Sequence, residues 1–132
     1  MALEWEQLSV DAADPGALGR WWREALGWVV VHDSAEEFEI RPAPEQLPGL
    51  LFISVPEGKT IKNRLHLDFR PDNRDAEVER LLALGARRAD VGQQGDESWV
   101  VLADPEGNEF CVLGERSGGA PTDGSTSDAM CR

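Results

Sequence analysis

The residues of this chain best suited to chemistry cluster around one histidine. His66 stands between Arg64 and Asp68 in the string Arg64-Leu65-His66-Leu67-Asp68-Phe69-Arg70. In an extended segment Arg64, His66 and Asp68 share one face, with Leu65, Leu67 and Phe69 on the other. A carboxylate two residues along, roughly 6.6 Å away, can orient an imidazole for proton transfer or metal ligation. The same ladder of opposite charges can equally brace a strand against its neighbours. His32 ends a β-branched run among polar residues and reads as solvated. Lys59, Lys62 and Arg64 form a small basic cluster that could hold a carboxylate or phosphate, although Glu57 and Asp68 are near enough to neutralise it. Cys111 and Cys131 lack the spacing of a metal knuckle and read as reduced thiols rather than a disulfide, in keeping with a cytoplasmic protein. A Gly-rich phosphate loop, a nucleophile elbow and a His-Glu-x-x-His helix are all missing from the sequence.

Two similar sets of elements must position these residues. Asp14-Pro15 combines an N-cap with a first-turn proline, and Leu18, Trp21, Trp22, Ala25 and Leu26 follow at helical spacing before Gly27. A strand from Leu3 to Asp11 precedes this helix; Trp28 to His32, Phe38 to Arg41 and Leu50 to Val55 follow as strands, the last two as a hairpin. The second half repeats the order: a strand Arg64 to Arg70, a helix from about Arg74 to Gly85, a weaker strand Arg87 to Val91, and a hairpin of Trp99 to Ala103 with Glu109 to Leu113. The turn of that hairpin is Asp104-Pro105-Glu106-Gly107-Asn108. Ala25-Leu26-Gly27 overlays Ala83-Leu84-Gly85 at an offset of 58, which also sets Ile53 on Cys111; an offset of 59 sets Gln7 on His66 and Asp14 on Asn73. The chain therefore reads as a tandem βαβββ repeat.

The whole sequence, 132 residues, has room for one domain, residues 1–114 with modules about 3–55 and 63–114. Residues 115–132 read as a flexible polar tail. Thirteen basic against 25 acidic residues give a net charge of −12, which argues against nucleic acid and against an anionic membrane as partners. No apolar run approaches the roughly 20 residues needed to cross a bilayer, and the first residues lack the pattern of a signal peptide.

Three strings together, Asp14-Pro15 through Trp21-Trp22 to Leu26-Gly27, then Lys62-Asn63-Arg64-Leu65-His66-Leu67-Asp68, then Asp104-Pro105-Glu106-Gly107-Asn108-Glu109-Phe110-Cys111, resemble the vicinal oxygen chelate superfamily. That group includes glyoxalase I, extradiol dioxygenases and bleomycin-resistance proteins, and the likeness is nearest to its glyoxalase-like subgroup common in actinobacteria. The resemblance implies an α+β fold: tandem βαβββ modules forming a curved mixed sheet with an open cleft and the helices outside. It also implies a homodimer, for which Trp22 or Trp28 would supply apolar surface.

In the superfamily a divalent metal is held at four cleft positions, which fall here on Gln7, Ile53, His66 and Cys111. Ile53 has no donor atom, and Cys111 stands where the family keeps a glutamate. Glyoxalase chemistry needs a metal-bound carboxylate to shuttle its proton, and dioxygenase chemistry needs two histidines and a carboxylate; neither set is present. The expectation is a metal-free, small-molecule-binding protein with no cofactor, able to sequester a ligand. The cleft residues are Trp5, Gln7, Ile53, Arg64, His66, Asp68, Trp99 and Cys111. The alternative is a lyase or isomerase in which Gln7, His66 and Cys111 hold zinc or nickel. Trp5 shares the parity of Gln7 and Trp99 that of Val101, so both could wall such a cleft.

Overall fold

The computed structural model describes residues 2–89 and 98–116. The chain divides into two compact units, 1–59 and 60–132.

The first unit runs β1 (Gln7–Ala12), α1 (Pro15–Leu26), β2 (Val29–Asp33), β3 (Glu37–Arg41) and β4 (Gly49–Ser54). Its sheet has the order β1-β4-β3-β2, with β1 parallel to β4 and the other pairs antiparallel. Helix α1 starts where the sequence signals it: Asp14 Oδ1 accepts from the Ala17 N–H at 3.0 Å, and Pro15 occupies the first turn without wasting a donor. Gly27 closes the helix at φ 70°, a left-handed conformation that suits glycine, and its N–H donates to Arg23 O. The apolar stripe of α1 buries Leu18, Trp22 and Ala25, and the helix packs on β3 and β4, whose Phe38, Ile40, Leu50 and Phe52 complete this core. Trp22 is only 4% exposed, which corrects the expectation that it could be left for a subunit interface; the i, i+4 partnership with Leu18 takes it inward. Trp21 meets Trp22 edge-on, with ring centroids 5.1 Å apart.

The second unit repeats the plan with β5 (Leu67–Phe69), α2 (Arg74–Leu84), β6 (Arg87–Arg88), β7 (Val100–Ala103) and β8 (Glu109–Val112). Its sheet order is β5-β8-β7-β6, again with the first strand parallel to the last. Asn73 caps α2 through Ala76 N at 3.0 Å, and Gly85 closes it at φ 116°, the same two devices one repeat later. Two mixed four-stranded sheets, each with a helix, give the expected α+β class.

The second unit departs from expectation at its first strand. Ladder pairing begins only at Leu67, and Leu65 is 81% exposed instead of packing with Leu67 and Phe69. A contact distant in sequence accompanies this: the Asn63 backbone N–H donates to Glu109 Oε1 at 2.8 Å and its Nδ2 to Glu109 O at 3.2 Å, so side-chain bonds hold this segment where strand pairing was expected. Strand β6 is two residues long; the rest of the expected Arg87–Val91 strand, from residue 90 on, lies outside the described residues, as do residues 117–132 of the expected tail.

Candidate functional site

In the second unit, alternation sorts the strands onto two faces. Leu67, Phe69, Phe110, Val112 and Leu102 share the face of α2, where Phe69 and Phe110 meet edge-on with centroids 6.0 Å apart. The opposite face carries the chemistry. Its floor is Val101, Cys111 and Leu113, with Trp99 and Ala89 packed against them. Register sets Asp68 beside Cys111, and the same parity along the chain brings His66 and Arg70 to this face.

His66 Nδ1 lies 3.8 Å from Asp68 Oδ1, with both side chains partly exposed. The carboxyl of Asp68 is held above its ordinary range, because burial disfavours its charge; the neighbouring His66 opposes that shift. His66 precedes β5 and Asp68 lies within it, so the two side chains approach each other where the strand begins. Arg64 is exposed and precedes the strand. Arg70, next in the same column, donates from Nη1 to Gly114 O at 2.7 Å. Its place is readable in the alternation, but its use is not, because its acceptor lies 44 residues further along the chain.

The hairpin turn Asp104-Pro105-Glu106-Gly107-Asn108 is structural. Asp104, 1% exposed, accepts from the backbone N–H groups of Glu106 and Asn108, both at 2.9 Å, and from Asn108 Nδ2. Its carboxylate holds the turn.

In the first unit the face away from α1 carries Gln7, Ser9 and Asp11 of β1, Leu51 and Ile53 of β4, and Glu37, Glu39 and Arg41 of β3. Arg41 binds Glu39 at 3.0 Å and Pro44 O at 2.9 Å. Trp5 is 65% exposed, and its indole N–H donates to Gln7 O at 3.2 Å.

Register separates two of the four expected ligand positions. Gln7 pairs with Gly49, whereas Ile53 pairs with Asp11, four residues further along, or roughly 13 Å. In the second unit, His66 precedes Leu67, whose partner Phe110 is followed directly by Cys111. The same step from Gln7 leads to Leu51, which also has no donor atom. Cys111 is wholly buried and disulfide-bonded, which corrects the expectation of a reduced thiol; spacing in a sequence does not decide whether a thiol is oxidised. Cys131 lies outside the described residues. A disulfide sulfur has no thiolate charge to offer a cation. What remains is one amide and one imidazole, in different units, and among the described residues no group of three or more His, Cys, Asp and Glu side chains could hold a metal ion. This donor set does not fit the superfamily's metal. Nor is any helix among the described residues long and apolar enough to cross a membrane.

Two βαβββ units, each a four-stranded mixed sheet with one helix, define the architecture. The chain belongs to the glyoxalase-like domain family, which it matches over residues 7–113. Solved structures share the fold at low identity. A protein from Agrobacterium tumefaciens, determined by NMR, is 18% identical with a TM-score of 0.67, over 87% of this chain and 99% of that one. A glyoxalase/bleomycin resistance protein/dioxygenase family enzyme from Burkholderia phytofirmans is 18% identical with a TM-score of 0.64, over 83% and 97%. The fosfomycin resistance protein FosX from Listeria monocytogenes, a mutant in complex with Mn(II) and a dihydroxypropylphosphonic acid, is 13% identical with a TM-score of 0.65, over 89% and 93%. No protein of curated function matches the sequence.

Proposed function

We propose that this chain is a small-molecule-binding member of the glyoxalase-like family that holds its ligand without a metal and sequesters it, as a cytoplasmic homodimer. One observation carries the reading: the positions where the superfamily places metal ligands hold Gln7, an aliphatic residue, His66 and a disulfide-bonded Cys111. The FosX structure was determined with Mn(II) bound; in this chain neither Ile53 nor Cys111 supplies the negative charge that would offset a cation's lost hydration. The residues proposed to meet the ligand are Trp99, His66, Asp68 and Cys111 in the second unit and Trp5, Gln7 and Ile53 in the first, with Arg64 at the approach.

The test is titration of untagged protein with Mn²⁺, Ni²⁺ and Zn²⁺, with and without a thiol reductant, beside a thermal-shift screen of uncharged, cationic and anionic small molecules. The expected result is no stoichiometric metal in either redox state, and at least one organic compound that raises the melting temperature. A ligand at about 100 times its dissociation constant adds roughly 2.7 kcal/mol. Metal bound one-to-one and lost in His66→Ala would overturn this reading in favour of a lyase or isomerase with an altered ligand set.

A further inference from the structure

Two donors on the helix-free face of the second unit have no acceptor among the described residues. Arg70 Nε and Trp99 Nε1 are buried atoms without a hydrogen-bond partner, and apart from its Nη1 bond to Gly114 O, Arg70 makes no hydrogen bond or ion pair among the described residues. Leaving such a donor buried and unpaired costs about 1–3 kcal/mol. Nη1 lies on the Cδ side of the guanidinium, so the edge left over is Nε–H with Nη2–H. That edge is one of the paired donor edges with which arginine grips the two oxygens of a carboxylate or phosphonate.

The sheet sets these two residues on either side of one strand. Phe69 and Val100 both pair with Val112, from opposite sides, so Arg70 and Trp99 flank Leu113. Their backbones are two strand spacings apart, roughly 9.5 Å, a gap that an arginine and an indole can span from both sides. Trp99 packs on the same floor of Val101, Cys111 and Leu113 that the Arg70 column borders. Both residues keep part of their surface exposed, although the two donor atoms are buried. The nearest carboxylate in the column, Asp68, makes its ion pair with His66.

We infer that Arg70 and Trp99 form an oxyanion-binding subsite, in which the Nε–Nη2 edge of Arg70 and the indole N–H of Trp99 receive the carboxylate or phosphonate of the ligand. The inference rests on the binding-domain reading above and names the ligand's chemical class. The chain's net charge of −12 repels anions at long range, so recognition relies on the local fork.

The experiment is a ¹H–¹⁵N titration of the full chain, following the indole N–H resonances of its five tryptophans, with Trp99→Phe to assign the relevant one. The probes are benzoate, methylphosphonate and the uncharged benzamide. The expected result is a saturable shift of the Trp99 indole resonance with benzoate or methylphosphonate and none with benzamide. Arg70→Lys, which keeps the charge but loses the fork, weakens the response by ~10-fold. No shift with either oxyanion, a shift with benzamide equal to that with benzoate, or an undiminished response in Arg70→Lys would each overturn the inference. The comparison of benzoate with benzamide needs only the unmodified protein, so misfolding of a variant leaves the test intact. An uncharged compound that moves the Trp99 resonance while oxyanions do not would end this inference and leave the binding-domain reading standing. A screen without any binder would end that reading too.

Discussion

Asp68 is where burial and charge compete most directly. Burial raises its pKa, and the neighbouring His66 lowers it by less. A carboxyl whose pKa is higher in the folded than in the unfolded chain makes its ionised form costly to the fold. That cost is absent below the ordinary value of 3.8, grows as pH rises toward the folded value, and is complete above it. Asp68→Asn is therefore expected to stabilise the protein at neutral pH, by less than about 1 kcal/mol for a pair this exposed, and to lose that advantage below pH 3.8. Urea midpoints of both proteins at the two pH values measure it. A variant less stable at neutral pH would show that the His66 interaction outweighs burial. Glu77 has the opposite sign. Its bond to Arg80 lowers its pKa, so its contribution is present at neutral pH and is lost as pH falls through the folded value.

Helix α1 shows how one missing atom can decide the packing of an element. Replacing a mid-helix glycine with alanine ordinarily gains about 1 kcal/mol in propensity. At Gly19 the added Cβ would overlap the ring of Phe38, which is 1% exposed and cannot withdraw. Overpacking of this kind costs about 1–3 kcal/mol, so Gly19→Ala is expected to lower stability despite the better helix former. Thermal melts decide the sign, and a more stable variant would mean that β3 can shift away from the helix. This close approach was invisible in the sequence, where Gly19 is one more position in a periodic stripe. The caps were legible, because Asp14-Pro15, Asn73, Gly27 and Gly85 act through bonds that span three or four residues. The shared parity of His66 and Asp68 was legible too, but their 3.8 Å approach was not, because His66 stands before the first paired residue of β5. Nor was the late start of β5, since the Asn63–Glu109 bonds that accompany it join residues 46 apart. The distance of Ile53 from Gln7 likewise depends on the β1–β4 register, which a sequence overlay of the two halves does not fix.

For the molecule as a whole, the proposed homodimer must overcome charge. Two chains of −12 bring 2 × −12 = −24 together, and that repulsion acts over the Debye length, about 10 Å at 0.1 M salt. The apolar surface to oppose it cannot come from Trp22, which belongs to the core. It is available within each unit elsewhere: Leu3 is 88% and Trp5 65% exposed in the first, with Val29 and Val30 on the edge strand β2, and Ile61 is 74% and Leu65 81% exposed in the second. Burial of apolar area gains roughly 25 cal/mol per Å² whatever the ionic strength, whereas like-charge repulsion fades as salt is added. Association is therefore expected to strengthen between low salt and 0.5 M NaCl, the reverse of an interface held by ion pairs. Sedimentation velocity at micromolar protein across that range measures it, and Leu65→Ser, at an exposed position outside the β5 ladder, is expected to weaken the dimer without lowering the melting temperature of the monomer. A single 14.5 kDa species at every salt concentration would rule out the dimer, and a dimer that dissociates as salt rises would place its interface among charged side chains instead.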